Sequence, residues 1–159
     1  MQRYTHPFPP FIDENSKILI LGSFPSIKSF EENFFYAHPK NQFWRLLAGV
    51  FDEIPPKTKE EKKAFLQKHN IALWDVVGSC SRQNSLDSNL KDIEPNDIEK
   101  LLRDFPNIQK IYFTSKTAQK IYNKHFKHLK IPTYYLASPS PAYAALKYEE
   151  KLKRWKEVF

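Results

Sequence analysis

Residues 17–26 read KILILGSFPS, and this stretch decides the fold of the chain. Its first five residues, Lys17 to Leu21, are rich in isoleucine and leucine and predict a buried β-strand. The strand ends at Gly22, which tolerates any φ, and Pro25 three residues later fixes one. A tight, non-helical turn is therefore expected directly after the strand.

A second informative segment, residues 36–44, reads YAHPKNQFW. It holds an aromatic residue, a histidine restrained by the following proline, and Asn41 at the start of a helix predicted over 41–51. Together the two segments place an aromatic face, a polar amide and backbone N–H groups at the carboxyl end of one strand. Open α/β sheets bind ligands at that end, so the sequence predicts a pocket for a flat ligand.

Strands and helices alternate along the rest of the chain. Further strands are predicted at 71–77, 110–113 and 132–136. Helices are predicted to begin at a capping box formed by Thr58 and Glu61, at Pro95 and after Ser115, and a last one carries Trp155. This alternation predicts an α/β fold, a three-layer α/β/α sandwich with a four-stranded, mostly parallel sheet.

Two segments fall outside this alternation. Residues 1–16 are rich in proline and are predicted to form an irregular N-terminal arm. Residues 78–94 are polar and are predicted to form a loop, which is longer than a connector needs to be and so points to function. With 159 residues, of which 41% are hydrophobic, a single domain spanning 1–159 is expected.

The charge balance favours a polyanionic partner. The chain has 25 Lys and Arg against 18 Asp and Glu, a net charge of +7, which suits nucleic acid or an anionic membrane surface. No apolar run approaches the roughly 18 residues that a membrane-spanning helix needs, and the N-terminus lacks the apolar block of a signal peptide. We therefore expect a soluble, cytoplasmic protein with no membrane partner.

Cysteine and histidine usage argues against a metal or cofactor. Cys80 is the single cysteine, which excludes an intrachain disulfide and a four-cysteine zinc or iron–sulfur site. The histidines, at 6, 38, 69, 125 and 128, show no metal-ligand spacing. We expect no metal and no cofactor, and we interpret Cys80 as a small packed hydrophobic residue.

A Gly-x-x-Pro turn after the first strand, followed by aromatic-Ala-His-Pro-x-Asn-x-Phe-Trp, resembles the uracil-DNA glycosylase superfamily. The resemblance recurs in order along almost the whole chain, at LWDVV (73–77) with Cys80 and SLDS (85–88), at IYFTS (111–115) and at LASPSP (136–141). The mismatch-specific branch is close, and the hypoxanthine-DNA (deoxyinosine) glycosylases are closer still.

The resemblance implies roles for several residues of the two segments. Tyr36 stands where the family stacks a base on an aromatic ring, although it could instead be a packing tyrosine. Phe24 stands where many members carry a water-positioning Asn or Asp, and Asn41 is the residue that the hypoxanthine branch uses instead. Asn41 therefore either positions water catalytically or only caps the following helix. His38 is interpreted as structural or as a neighbour of the substrate site.

Two further positions depart from the uracil-reading branches. Thr114 and Ser138 stand where those branches carry an Asn and a His or Asn, which disfavours uracil as the main substrate. Asp75 and Asp87 are the carboxylates nearest the strand ends, and each is more easily explained as a turn or capping group than as a catalyst. The residues expected to bind substrate are Gly22, Ser23, Phe24, Pro25, Tyr36, His38, Thr114 and Ser115.

DNA contacts are expected from the turns that surround the pocket. Backbone amides and hydroxyls of the Ser-Pro turn would press on phosphates, with Ala142 and Tyr143 as wedge residues, unless this is a plain turn with capping serines. The residues expected to bind DNA are Ser26, Arg82, Ser138, Pro139, Ser140, Pro141, Ala142 and Tyr143.

Base excision needs little acid–base chemistry. Glycosidic cleavage passes through a cation-like sugar, and the base must first be flipped out of the duplex. The resemblance implies a monomeric, monofunctional DNA glycosylase of base-excision repair that acts on damaged duplex or single strands, hypoxanthine first. The motifs place no lysine nucleophile in the pocket. The alternatives are a mismatch-specific uracil-DNA glycosylase and a non-catalytic nucleic-acid-binding module; a small-molecule hydrolase is disfavoured because its motifs are absent.

Overall fold

The computed structural model describes residues 2–82, 90–143 and 145–159. In chain order the elements of these residues are β1 (Arg3–Thr5), β2 (Ile18–Gly22), α1 (Ile27–Glu32), α2 (Phe43–Val50), α3 (Lys59–Lys68), β3 (Ile71–Asp75), β4 (Val77–Ser81), β5 (Lys91–Pro95), α4 (Ile98–Asp104), β6 (Lys110–Phe113), α5 (Lys116–Phe126), β7 (Thr133–Tyr135) and α6 (Tyr148–Val158).

The central sheet has four strands in the order β3-β2-β6-β7, and all of its pairings are parallel. β2 lies between β3 and β6: the chain runs from β2 to β3 on one side, and the next connection to this sheet crosses to β6 on the other. Gly22 is opposite Asp75 on one side, and Leu21 is opposite Phe113 on the other. Such a switch in direction opens a crevice at the carboxyl ends of the strands. The predicted four-stranded parallel sheet is confirmed.

Helices cover both faces of this sheet, because both faces are apolar. Ile20 and Leu73 point into one core, where α2, α3 and α6 pack with Leu46, Leu66 and Trp155. The alternate strand positions point into the other core, where they meet α4 and α5; these positions are Leu19, Leu21, Ala72, Ile111 and Phe113. Strand residues therefore alternate between two buried faces, and the α/β/α arrangement is confirmed.

Local sequence sets most helix ends as expected. Thr58 and Glu61 form a complete capping box at α3, and Ser115 Oγ accepts from the N–H of Ala118 at α5. The prediction at Pro95 is wrong. Pro95 ends β5, and Asp97 caps α4 by accepting from the N–H of Lys100.

A second, antiparallel sheet in the order β1-β4-β5 was not predicted. β1 lies in the predicted irregular arm, and β4 and β5 lie in the predicted polar loop, so both predictions need correction. Arg3 pairs with Ser81, and Val77 pairs with Pro95. The strands form because distant segments pair, and not because their own residues favour extended chain. Cys80 of β4 is buried in the second core, and burial raises the pKa of its thiol.

The N-terminal arm is bonded to the carboxyl side of β3. The N–H of His6 donates to the Gly78 carbonyl at 2.7 Å, and Phe11 exchanges backbone hydrogen bonds with Leu73. Helix α1 was also not predicted, and it begins at Ser26, whose side chain accepts from the N–H of Ser29 at 3.2 Å. Among the described residues, no helix has the length and apolar character needed to cross a membrane.

Candidate active site

A cleft of about 810 Å³ opens at the carboxyl ends of the central strands. Residues from β2, from the segment before α2, from the ends of β3 and β6, and from the turn after β7 meet there. Most of the predicted site residues line it: Gly22, Ser23, Phe24, Pro25, Ser26, Tyr36, Asn41, Thr114, Ser115, Ser138, Pro139, Ser140, Ala142 and Tyr143. Segments far apart in sequence are brought together because their strands are neighbours in one sheet.

Part of the cleft lining brings together buried and half-buried residues from four segments of the chain. These residues are Gly22, Tyr36, Asn41, Asp75 and Thr114, and we call them the floor. Tyr36 Oη and Thr114 Oγ1 are hydrogen-bonded at 2.9 Å. A Cβ at Gly22 would lie 2.6 Å from Asp75 Oδ1 and 3.1 Å from Tyr36 Oη, so only glycine allows this approach.

Tyr36 is held in an unusual backbone conformation. Its φ is 51°, and it is the only aromatic among the described non-glycine residues in the left-handed region. An aromatic residue there costs on the order of 1–3 kcal/mol, which the surroundings must offset. The Tyr36 ring stacks on Phe43 with centroids 3.9 Å apart, and Trp44 Nε1 donates to the Tyr36 carbonyl at 3.2 Å. The Tyr36 ring therefore lines the cleft in a fixed orientation, with the Phe43 ring packed against one of its faces.

Asn41 lies at the start of α2 and at the cleft, where either of the roles that the sequence left open is possible. Its Oδ1 accepts from the N–H of Phe43, the first residue of α2, at 2.9 Å, although the cap position itself belongs to Gln42. Asn41 also lines the cleft. An amide oxygen has two lone pairs, so the bond to Phe43 fixes the side chain and leaves capacity for a second donor.

Arg82 is buried, so its side chain is not available for the DNA contact that the sequence predicted. The residue is 3% exposed, and its guanidinium donates to the Pro25 carbonyl. It also lies over the rings of Tyr4, Phe24 and Phe30, at 5.5, 5.0 and 5.4 Å from their centroids. The cation is drawn inward by three ring faces and a carbonyl, so Arg82 anchors the turn at 22–26 from below.

The Ser-Pro turn uses its hydroxyls within itself. Ser138 Oγ accepts from the N–H of Ser140 at 3.3 Å, and Ser140 Oγ accepts from the N–H of Ala142 at 3.1 Å. The Pro139 carbonyl accepts from the N–H of Gln42 at 3.0 Å, which joins this turn to the Asn41 segment. Pro141 is exposed and lies outside the residues lining the cleft.

His38 also lies outside the cleft lining. It borders an adjoining hollow of about 390 Å³, together with Trp44, Arg45 and Lys62. Its Nδ1 accepts from the N–H of Lys40 at 3.1 Å, which is a local turn contact. Burial against Trp44 lowers the pKa of Lys62.

The outer part of the cleft carries residues that the sequence did not assign to it. Lys116 and Arg154 line it, and the Lys116 ammonium lies 3.7 Å from the Tyr135 ring centroid. Lys116 brings a lysine to the cleft that the motifs did not indicate. These two cations form the rim with Ser140, Ala142 and Tyr143, all of them exposed or half-buried.

Asp75 is the main floor residue that sequence reasoning undervalued. It is 5% exposed, and its Oδ2 lies 2.8 Å from His6 Nε2. Its position opposite Gly22 follows from the parallel register of β2 and β3. That register was the available signal for Asp75, whereas nothing in the sequence indicated His6. Asp87 and the SLDS segment lie outside the described residues. Within the described part of the chain, no three acidic, histidine or cysteine side chains form a cluster that could hold a metal ion.

Comparisons with known proteins agree on one family. A family model described as the uracil DNA glycosylase superfamily matches residues 9–159. A protein of Methanosarcina acetivorans named hypoxanthine DNA glycosylase is 37% identical over 153 residues, which cover 96% of each chain. A protein of Methanosarcina barkeri with the same name is 38% identical over 110 residues, covering 69% of this chain and 70% of its own.

A solved structure shares the fold over nearly the full length. The solution NMR structure of a Methanosarcina acetivorans protein, provisionally described as a uracil DNA glycosylase, superposes with a TM-score of 0.84. The two chains are 33% identical, and the match covers 99% of this chain and 96% of the other.

Proposed function

The chain belongs to the uracil DNA glycosylase superfamily, and we propose that it is a monofunctional DNA glycosylase that removes hypoxanthine from DNA in base-excision repair. One observation carries the proposal. Asn41 and Tyr36 line one cleft with a buried floor, in a chain that is 37% identical to a hypoxanthine DNA glycosylase.

Base recognition begins with Tyr36. A base inside a duplex is out of reach, so the target nucleotide is flipped into the cleft and its base stacks on an aromatic ring. The Tyr36 ring is fixed by Phe43 and by the bond to Thr114, so it does not have to be ordered when the base arrives. Prior ordering of this kind lowers the entropic cost of binding.

Asn41 acts on the water. Its oxygen already accepts from the Phe43 N–H, and the second lone pair accepts from the water that attacks C1′. As the bond between C1′ and the base breaks, its electron pair leaves with the base and the sugar becomes cation-like. The fixed dipoles of the floor stabilise that charge without having to reorganise.

Hypoxanthine is favoured over uracil by the groups that face the base. Thr114 and Ser138 offer hydroxyls, which can donate or accept, in place of the side-chain amide of the uracil-reading branches. The Thr114 hydroxyl is already shared with Tyr36, so its orientation is set before the base enters.

The net charge of +7 and the two cations of the rim support a nucleic-acid substrate. The two cations, Lys116 and Arg154, contact DNA phosphates. Such contacts raise the affinity for DNA and carry no sequence information.

The test is incubation with oligonucleotides that each carry one deoxyinosine, one uracil opposite guanine, or no lesion. Each is offered as duplex and as single strand, and alkali then cleaves the strand at abasic sites. We expect cleavage of the deoxyinosine substrates after alkali only, with EDTA present throughout. Asn41→Ala should abolish it, and Asn123→Ala, on the exposed side of α5, should not.

Three results would contradict the proposal. Binding without excision of any lesion would make the chain a non-catalytic module, and excision of uracil alone would make it a mismatch-specific uracil enzyme. Strand cleavage without alkali, with borohydride trapping a covalent adduct at Lys116, would show a Schiff-base mechanism.

A further inference from the structure

Asp75 belongs to the floor of the cleft, and one of its two carboxylate oxygens is bonded to His6, which lies outside the cleft lining. It ends β3 directly opposite Gly22, and it is 5% exposed. Its Oδ2 is bonded to His6, and its Oδ1 lies beside the Gly22 backbone in the cleft lining. A carboxylate at the carboxyl end of a strand of the parallel sheet, beside the central strand β2, is placed where reacting groups of open α/β sheets lie.

His6 holds that carboxylate from the N-terminal arm. Its Nε2 lies 2.8 Å from Asp75 Oδ2, and its Nδ1 lies 2.8 Å from the Phe8 carbonyl oxygen. The rings of Phe8, Phe24 and Phe35 surround the imidazole at centroid distances of 4.8, 5.9 and 6.3 Å. The ring therefore has a single orientation, and both of its nitrogens are engaged.

The two contacts limit where the protons can be. A carbonyl oxygen can only accept, so Nδ1 carries a hydrogen that it donates to Phe8. The contact between Nε2 and Oδ2 then needs a second proton between these two atoms. A neutral imidazole with a carboxylate would leave two acceptors facing each other at 2.8 Å, so the pair holds one proton in addition to that on Nδ1.

The other histidine–carboxylate pairs of the described residues lack this setting. His69 pairs with Glu53 at 2.6 Å, and their side chains are 14% and 27% exposed. His128 pairs with Glu99 at 2.9 Å, and their side chains are 61% and 47% exposed. Neither pair lines the cleft. The side chains of His6 and Asp75 are only 5% and 6% exposed, and a pair that merely fastened the arm would not need to border the cleft.

Phe24 presents an apolar ring to the cleft, and the first turn, residues 22–26, holds no carboxylate. We propose that Asp75 supplies a carboxylate from the neighbouring strand. It is a second catalytic residue, which accepts the proton of the attacking water, and His6 is its positioning residue. This inference rests on the proposed base excision.

The bond from C1′ to the base breaks with its electron pair on the base, and the water oxygen bonds to C1′. The water proton moves to Asp75 Oδ1 while His6 remains an imidazolium on Oδ2. The departing base takes a proton from solvent, and Asp75 returns its own proton to solvent when the product leaves.

The test compares Asp75→Asn and His6→Gln with the matched surface variants Glu99→Gln and His128→Gln. The single-turnover rate on a deoxyinosine duplex is measured against enzyme concentration, which separates the maximal rate from the half-saturating concentration. We expect Asp75→Asn to lower the maximal rate by about 100-fold or more with half-saturation unchanged. His6→Gln should lower it less, and the surface variants should match the parent.

A second measurement does not depend on the variants folding. The ¹⁵N shifts of His6 in the parent protein, at the pH of the assay, should show both ring nitrogens protonated. A neutral His6 would overturn the proposal, and so would an Asp75→Asn variant that excises at the parent rate, or one whose loss of rate only follows its loss of thermal stability. If instead the parent protein fails to excise hypoxanthine, the proposed function itself is wrong.

Discussion

The floor and the rim of the cleft are built in opposite ways. The floor has contacts between distant parts of the chain: Tyr36 and Thr114 are 78 residues apart, and His6 and Asp75 are 69 residues apart, while Asn41 bonds Phe43 nearby. The hydrogen bonds of the rim are local, since Ser140 bonds Ala142 and Arg154 bonds Glu150 four residues before it. The floor is buried or half-buried, whereas Lys116 and Arg154 are exposed.

This difference separates two tasks. Groups fixed by many long-range contacts keep their geometry when substrate arrives, which suits the chemical step. Exposed cations on flexible stems suit phosphate contacts that tolerate any sequence. We therefore expect substitutions in the floor to change the rate of excision, and substitutions in the rim to change affinity and its dependence on salt.

The largest effect is expected at Asn41. Asn41→Ala removes the amide that orients water, and the single-turnover rate should fall by on the order of 100-fold or more. Loss of the contact to the Phe43 N–H alone should cost roughly 0.5–2 kcal/mol of stability. Asn41→Asp retains an acceptor for that N–H, so it should fold as well as the parent and still show a changed rate or base preference. If both variants excise hypoxanthine at the parent rate, Asn41 only caps α2.

Gly22→Ala should come next. The new Cβ would meet Asp75 Oδ1 at 2.6 Å and Tyr36 Oη at 3.1 Å, so the floor has to shift. A displacement of about 1 Å at reacting groups can cost 100-fold in rate. Gly49→Ala is the matched control, because its Cβ would meet the flexible Leu152 side chain at 2.8 Å, away from the cleft. Equal rates for the two variants would show that the floor is not sensitive to position.

Replacing Tyr36 should have a smaller effect. Tyr36→Ala removes a stacking surface worth roughly 1–3 kcal/mol per base, measured as weaker binding of a deoxyinosine oligonucleotide. Tyr36→Phe keeps the ring and loses the bond to Thr114, a net cost of about 1 kcal/mol in stability. An alanine variant that binds and excises as the parent does would place the base elsewhere in the cleft.

The rim should show the smallest effect on rate. Replacing both Lys116 and Arg154 by alanine removes two phosphate contacts, so the slope of log affinity against log salt should decrease by about two. Titration of oligonucleotide binding between low and physiological salt measures this slope. An unchanged slope would mean that these cations do not meet the DNA.

Local patterns were enough to predict the central sheet. The apolar run from Lys17 to Leu21 and the capping residues Thr58 and Ser115 carry their signals within a few positions, and the structure confirms each element. The sheet of β1, β4 and β5 could not be predicted, because Gly78 and Ser79 have little preference for strands and pair only with partners distant in sequence.

The same distinction applies to the site. Residues at strand ends, such as Gly22 and Thr114, were placed in the cleft because parallel strands end at one edge. Arg82 was misplaced because a charged side chain in a polar segment normally faces solvent, and only the fold brings three aromatic rings around it. His6 reaches Asp75 because of the path of the N-terminal arm, which no local pattern encodes.

One experiment tests the division between floor and rim directly. Single-turnover excision from a deoxyinosine duplex is titrated with the parent, with Asn41→Ala, and with the variant that has alanine at both Lys116 and Arg154. We predict that Asn41→Ala lowers the maximal rate and leaves the half-saturating concentration unchanged, while the rim variant raises the half-saturating concentration and keeps the maximal rate. A rim variant that loses maximal rate, beside an Asn41→Ala variant that loses only affinity, would contradict this account.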